Sequence, residues 1–196
     1  MRRISGRSQW QSKSGTVYEI NNSPELGVFL EVMEELDSQV TSMLSHHSRV
    51  LFLRLDIRCY EFSSTNKIMS DFMRLLKRRL IARYGFTRVG YLWVREISKA
   101  KKQHYHLVLL LDGNKVQHPK KVIEIAEDVG FHLSLPKIYT PKNCFLKLDR
   151  HDESQIARAV YRGSYLAKTR TKTRFKHVKA RSYGSSNIRP RNEVIQ

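Results

Sequence analysis

Cysteine is scarce in this 196-residue chain: Cys59 and Cys144 are its only two, and neither sits in a CxxC or Cys/His spacing. That excludes a disulfide framework and a thiolate-built zinc finger, and it predicts reduced, structural cysteines in a cytoplasmic protein. Long apolar runs are missing too. The longest aliphatic stretch, Leu107 to Leu111, is far short of the ~20 residues that cross a bilayer, so no membrane partner is expected. The start, MRRISGRSQWQSKSG, is basic with no apolar segment behind it, unlike a secretory signal. A GxxxxGK[ST] phosphate loop is absent, which argues against an NTP-driven motor, and so is HExxH, which argues against a zinc protease. Acid is also in short supply. Against 36 Lys+Arg stand 18 Asp+Glu, a formal charge of +18. A surplus above the magnitude of roughly 2–8 that suits a small soluble domain points to a polyanionic partner, nucleic acid first.

What is present reads as one α+β domain with appendages: a basic arm and N-terminal helix over 1–47, a catalytic domain over 48–170 and a basic tail over 171–196. The first fifteen or so residues are polar, basic and Gly/Ser-containing, which predicts a mobile arm. Leu26, Phe29, Leu30, Met33, Leu36 and Val40 recur at helical steps behind Ser23-Pro24-Glu25. Val50 to Ile57 reads as a buried strand. A second helix, capped by Ser64 or Thr65, carries Ile68, Phe72, Leu75, Leu76, Leu80 and Ile81 until Tyr84-Gly85 ends it. Strands over Arg88 to Ile97 and Gln103 to Leu111 enclose the five-residue loop Ser98-Lys99-Ala100-Lys101-Lys102, a β-hairpin. A helix follows Pro119 and closes near Gly130; strand fragments follow from Phe131 to Leu148; Asp152 caps a last helix from Glu153 to Lys168. This order predicts a central antiparallel sheet with helices packed mainly on one face.

His104-Tyr105-His106 carries the most chemical information. Side chains alternate along a strand, so the two imidazoles share a face. If the hairpin closes symmetrically, opposed residue numbers sum to about 200, which sets Glu96 opposite His104 and Val94 opposite His106. A one-residue slip would break the set. Two histidines and a carboxylate on a rigid hairpin suit a divalent ion with positions left open for substrate. An HxH pair alone is also met as a plain hydrogen-bonded pair, so the opposed acid is what raises it. Downstream, Tyr161, Tyr165 and Lys168 are four and three residues apart and would share one helical face. A phenol with pKa near 10 is a poor nucleophile at neutral pH unless a cation or metal assists. Such a face can equally stack on bases.

Together these motifs resemble the HUH endonucleases, whose signature is two histidines around a hydrophobic residue and a helical YxxK or YxxxYxxK. Tyr91-Leu92-Trp93-Val94-Arg95-Glu96, His104-Tyr105-His106-Leu107-Val108-Leu109 and Tyr165-Leu166-Ala167-Lys168 look like the inovirus-type rolling-circle replication initiators, also met in phage and prophage proteins of the YagK/YfjJ family. The likeness runs from about Val50 to Lys172 and makes the 48–170 unit an HUH-type endonuclease domain. It implies that His104 and His106 bind Mg²⁺ or Mn²⁺ with Glu96 as third ligand. It further implies that Tyr165 attacks the scissile phosphate, that Tyr161 makes a second transfer, and that Lys168 contacts phosphate or steadies the nucleophile. Two departures stand out. Tyr105 fills the hydrophobic slot between the histidines, and the first family motif survives only in Arg54-Leu55-Asp56.

The resemblance implies a metal-dependent DNA nicking and joining endonuclease that forms a 5′-phosphotyrosine at a replication origin. Its partners would be single-stranded or locally melted DNA and a host helicase and polymerase. Seven Lys/Arg and no acid lie between Ala167 and Arg181, a run read as a phosphate-gripping strap. The DNA contacts expected are Lys99, Lys101, Lys102, Arg162, Arg170, Lys172, Arg174, Lys176 and Lys179. His46, His47, His118, His132, His151 and His177 show no partner at ligand spacing and are read as structural or surface residues; Tyr183 ranks below Tyr165. Three other readings remain open: a non-catalytic single-stranded nucleic-acid binder, a metal-independent RNA-processing nuclease, and a zinc hydrolase.

Overall fold

In a computed structural model that describes residues 3–22, 27–97, 102–169 and 180–191, the apolar run after Arg49 becomes the long strand β5 (Arg49–Arg58). It pairs on one side with β8 (Phe145–Asp149) and on the other with β7 (Gln103–Asp112), which pairs in turn with β6 (Gly90–Ile97). β9 (Tyr183–Ser185) closes the far edge, giving a five-stranded antiparallel sheet in the order β8-β5-β7-β6-β9. The α+β class with a central antiparallel sheet is therefore the architecture found.

Period two decides what each face meets. Leu51, Leu53, Leu55 and Ile57 of β5, with Tyr105, Leu107, Leu109 and Leu111 of β7, pack against α2 (Lys67–Tyr84) and α3 (Lys120–His132). Val50 and Phe52, with Val108, Leu110, Leu92 and Val94, meet α1 (Leu30–His46) and α4 (Glu153–Gly163). The expectation of helices mainly on one face is thus refined: two helices serve each face. Beyond Phe52, Val94 and Val108 the second face turns polar, with Arg54, Asp56, Glu96, His104 and His106 projecting from it. That end of the sheet holds the candidate site. Among the described residues no helix is long and apolar enough to cross a membrane.

Several local expectations change. The N-terminal stretch, expected as a mobile arm, is paired. β1 (Ile4–Ser5) joins β4 (Val28–Phe29), and β2 (Gln9–Gln11) joins β3 (Val17–Glu19). Trp10 is buried and stacks on Tyr18 at 6.2 Å between centroids, which anchors this hairpin to the α1 side of the core. Residues 3–22 therefore belong to the fold, as does α1, and β9 draws the residues around 183 into the sheet. α1 begins at Leu30 because Gly27 is left-handed (φ 64°) and Val28–Phe29 is taken up by pairing; Ser23, Pro24, Glu25 and Leu26 lie outside the described residues. The residue that opens α2 is Asn66, not Ser64 or Thr65, while Gly85 closes it in the left-handed conformation as expected. α3 runs two residues past Gly130, and Asp152 caps α4 by accepting from the Gln155 amide.

Candidate active site

The hairpin register is the symmetric one: Glu96 faces His104 and Val94 faces His106. Glu96, His104 and His106 come together, their candidate ligand atoms all within 4.8 Å of one another, the one group of this kind among the described residues. Glu96 Oε2 lies 2.6 Å from His106 Nε2 and 3.4 Å from His104 Nε2. The two rings meet edge-on at 4.9 Å. Tyr105, between them, points to the other face; its ring packs edge-on against Trp93, and its hydroxyl donates to Asn66 Oδ1 and accepts from Gln103 Nε2. Burial pushes its phenol up to about 12. The aromatic in the hydrophobic slot is a core residue with a satisfied hydroxyl.

Two partners went unassigned from sequence. β5 pairs with β7 so that Asp56 faces His106 from the side opposite Val94, and Asp56 Oδ1 accepts from His106 Nδ1 at 2.7 Å. Arg54, two residues earlier on the same face, donates from Nη2 to Asp56 Oδ2 at 3.3 Å. The visible signal was Arg54-Leu55-Asp56, two charges at alternate positions of an otherwise apolar strand. With one carboxylate at each nitrogen, the surroundings of His106 favour a ring that donates twice, the imidazolium form. Burial works against that charge, but the bonds to Asp56 and Glu96 outweigh it and raise its pKa. Burial likewise favours a neutral Glu96, yet the bonds from His104 and His106 hold it well below the usual carboxylate range. Asp56 is lowered against its own burial by His106 and Arg54.

The tyrosines are placed differently from the expected single helical face. α4 ends at Gly163, and Ser164–Ala167 form a 3₁₀ turn. The cause is local: a Cβ on Gly163 would stand 2.6 Å from Leu36 Cδ2 of α1, and the Ser164 hydroxyl donates back to the Tyr161 carbonyl while accepting from the Asn21 amide. Lys168 is extended and bridges to Val28. Tyr161 is 46% exposed on α4, whereas Tyr165 is half-buried over the polar row. Its ring centroid is 5.4 Å from that of His106, in an edge-on approach. The Arg54 guanidinium lies 4.2 Å over the Tyr165 ring and Lys168 Nζ 5.2 Å from it, while Lys168 also donates to Asn21 Oδ1. Lys168 thus reaches Tyr165 from outside the helix. Both tyrosines line a cleft of about 180 Å³ with Arg54, Lys142 and Arg162.

The expected DNA contacts divide. Lys102 is exposed at the base of the hairpin. Arg162 lines the cleft beside the two tyrosines, and its Nη1 donates to the Asn143 and Phe145 carbonyls at the entry to β8. Lys99, Lys101, Arg170, Lys172, Arg174, Lys176 and Lys179 lie outside the described residues. Of the histidines read as structural, His46 binds the Arg189 carbonyl and His47 pairs with Asp112; His177 lies outside the described residues. No curated protein matches the chain, and no solved structure does. The model of one family, the YagK/YfjJ C-terminal domain, matches residues 17–186. That span takes in β3 through β9 and every residue of the polar row, and the chain belongs to the YagK/YfjJ C-terminal domain family.

Proposed function

We propose that this protein is a metal-dependent nicking and joining enzyme for single-stranded DNA, an HUH-type initiator of rolling-circle replication with Tyr165 as the attacking group. The observation that carries the proposal is the 5.4 Å approach of the Tyr165 and His106 rings on the face that also bears Glu96 and His104. A nucleophile candidate and a ligand set address one small volume. Two imidazoles and a carboxylate suit Mn²⁺ or Mg²⁺, and such an ion would polarise a substrate phosphate and offset its growing charge. Asp56 would fix the His106 ring and its tautomer. Arg54 and Lys168, both beside the Tyr165 ring, would place positive charge next to the phosphate under attack. The Tyr165 oxygen bonds to phosphorus while the P–O3′ bond breaks; the phenol gives up a proton and the departing 3′ oxygen gains one. One phosphodiester replaces another, so the attack can run backwards and reseal the strand without a nucleotide cofactor.

The test is a labelled oligonucleotide incubated with the protein and Mn²⁺ or Mg²⁺, then a denaturing gel. A covalent adduct that disappears with chelator is expected, with Mn²⁺ at least as effective as Mg²⁺ because imidazole favours softer ions. Binding with no adduct in either ion would instead indicate a plain single-strand binder. Cleavage confined to RNA and indifferent to chelator would indicate a ribonuclease.

A further inference from the structure

On the far side of β6 from the polar row lies a groove of about 1160 Å³, walled by α2 and the edge strand β9. Among the described residues its cations are Arg74, Lys77, Arg78 and Arg181, against one lining carboxylate, Glu35, which already accepts from Gln39. Arg74 is partly neutralised by Asp71 at 3.2 Å. Tyr91 supplies an aromatic face among them, with Lys77 Nζ 5.9 Å from its ring, and Trp93, 8% exposed, forms part of the floor. Gly184 makes room here, because a Cβ at that position would stand 2.6 Å from Trp93 Cζ2.

The groove connects to the candidate site through one rung of the sheet. His106 faces Val94, and Val94 faces Tyr183. Opposed residues point to the same side, so Tyr183 stands on the site's face two strands away, about 10 Å at ~4.8 Å per strand. The Ser182 carbonyl accepts from the Arg95 amide at 2.8 Å, which seats the mouth of the groove beside the residue that precedes Glu96. Cations along one wall with the Tyr91 ring among them, and Tyr183 at the sheet edge beyond, match a single strand, whose phosphates need counter-charge and whose unpaired bases need stacking surfaces. A buried apolar segment of protein would leave these cations unanswered.

We propose that the α2/β9 groove is a second binding site, which takes the single-stranded DNA flanking the cleaved position after it crosses Tyr183 at the sheet edge. The inference rests on the proposed function for the identity of the polymer and not for the cleavage chemistry. The test is anisotropy of a labelled 30-nucleotide single strand and of its duplex, measured with chelator over a salt series, for the wild type and a Lys77→Ala/Arg78→Ala double variant. The double variant should bind the single strand at least tenfold more weakly, and its salt slope should fall by about 1.4, or ~0.7 for each lost contact. In a Trp10→Phe background Trp93 is the sole tryptophan, and its emission should be quenched on binding. Unchanged affinity and slope in the double variant overturns the inference. So does a loss confined to duplex without Trp93 quenching, which would make the groove a double-strand grip. Adduct formation by the double variant at saturating DNA reports separately on the proposed function: if no adduct forms even with wild type, that reading fails while the groove result stands.

Discussion

Replacing Asp56 by Asn keeps an oxygen for His106 Nδ1 but removes the charge that now lies 2.7 Å away. If His106 holds an ion through Nε2, its Nδ1 partner acts as a second-layer support, and losing such a support typically costs ~10–100-fold in metal affinity. The isosteric Asn should fall near the low end and Asp56→Ala near the high end. The effect is measurable as metal-induced stabilisation. An ion at 100 times its Kd stabilises the wild type by about 2.7 kcal/mol; a tenfold loss of affinity leaves about 1.4, and a hundredfold loss about 0.4. At ~2–4 °C per kcal/mol for a chain of this size, the Mn²⁺-induced rise in Tm should shrink from roughly 5–11 °C to about half in Asp56→Asn. The metal-free variant should lose ~1.5–3 kcal/mol with its charge-assisted hydrogen bonds, a cost that a stability of ~5–15 kcal/mol absorbs. The assay is calorimetry without Mn²⁺ and with Mn²⁺ fixed at about 100 times the wild-type Kd, with Glu96→Gln as the control that forfeits nearly all of the shift. A full wild-type shift in Asp56→Asn would refute the claim that Asp56 supports the ligand set.

Three further outcomes are expected. The raised pKa of His106 makes its contribution to metal-free stability complete below about 6.5 and lost as pH rises through the folded value, while the lowered Asp56 and Glu96 contribute above about 4 and are lost as pH falls. Urea titrations in chelator should therefore show the gap between wild type and His106→Gln widest between these limits; a gap that stays constant up to pH 9 counts against the imidazolium. Tyr165→Phe should fold normally and give no adduct on a denaturing gel, whereas Tyr161→Phe should form the adduct but fail to join ends into circles; the reverse pattern would exchange their roles. Gly163→Ala should lower stability by a net ~1–2 kcal/mol in urea, because overpacking against Leu36 at 2.6 Å outweighs the ~1 kcal/mol gained from helix propensity, and a stabilised variant would show that Leu36 yields freely.

The hairpin half of the site was legible because a five-residue loop and period-two alternation fix both pairing and facing from within a few residues of sequence. Asp56 was not. Its meeting with His106 depends on how β5 aligns with β7, a pairing across α2 and β6 that no local pattern specifies. The Arg54-Leu55-Asp56 alternation marked the right face but not the partner. The N-terminal hairpin was missed for a different reason: the basic, Ser-rich composition of the first fifteen residues outweighed Trp10, Gly15 and Tyr18, which together spell two short strands and a turn. The shared treatment of Tyr161 and Tyr165 followed from extending a regular helix through Gly163-Ser164, a pair that often breaks one.

That break bears on the chemistry proposed. On an uninterrupted helix the two phenols would be near-equivalent, one turn apart, and a choice between them would rest on Lys168 alone. Ending α4 at Gly163 removes the equivalence. The 3₁₀ turn lays Tyr165 between Arg54 and His106, while Tyr161 stays on α4 with 46% of its surface open. Arg54 touches both halves of the site, since its guanidinium binds Asp56, the partner of His106, and covers the Tyr165 ring. In the proposed reaction, a phosphate drawn toward the histidine face would meet Tyr165 first. Tyr161, which lines the same cleft as Tyr165, would come within reach of phosphorus only once Tyr165 is esterified and a new strand enters that cleft. On the proposed reading, the order of the two transfers would follow from the packing of Gly163 against Leu36, which separates the two phenols, ahead of any difference in their intrinsic reactivity.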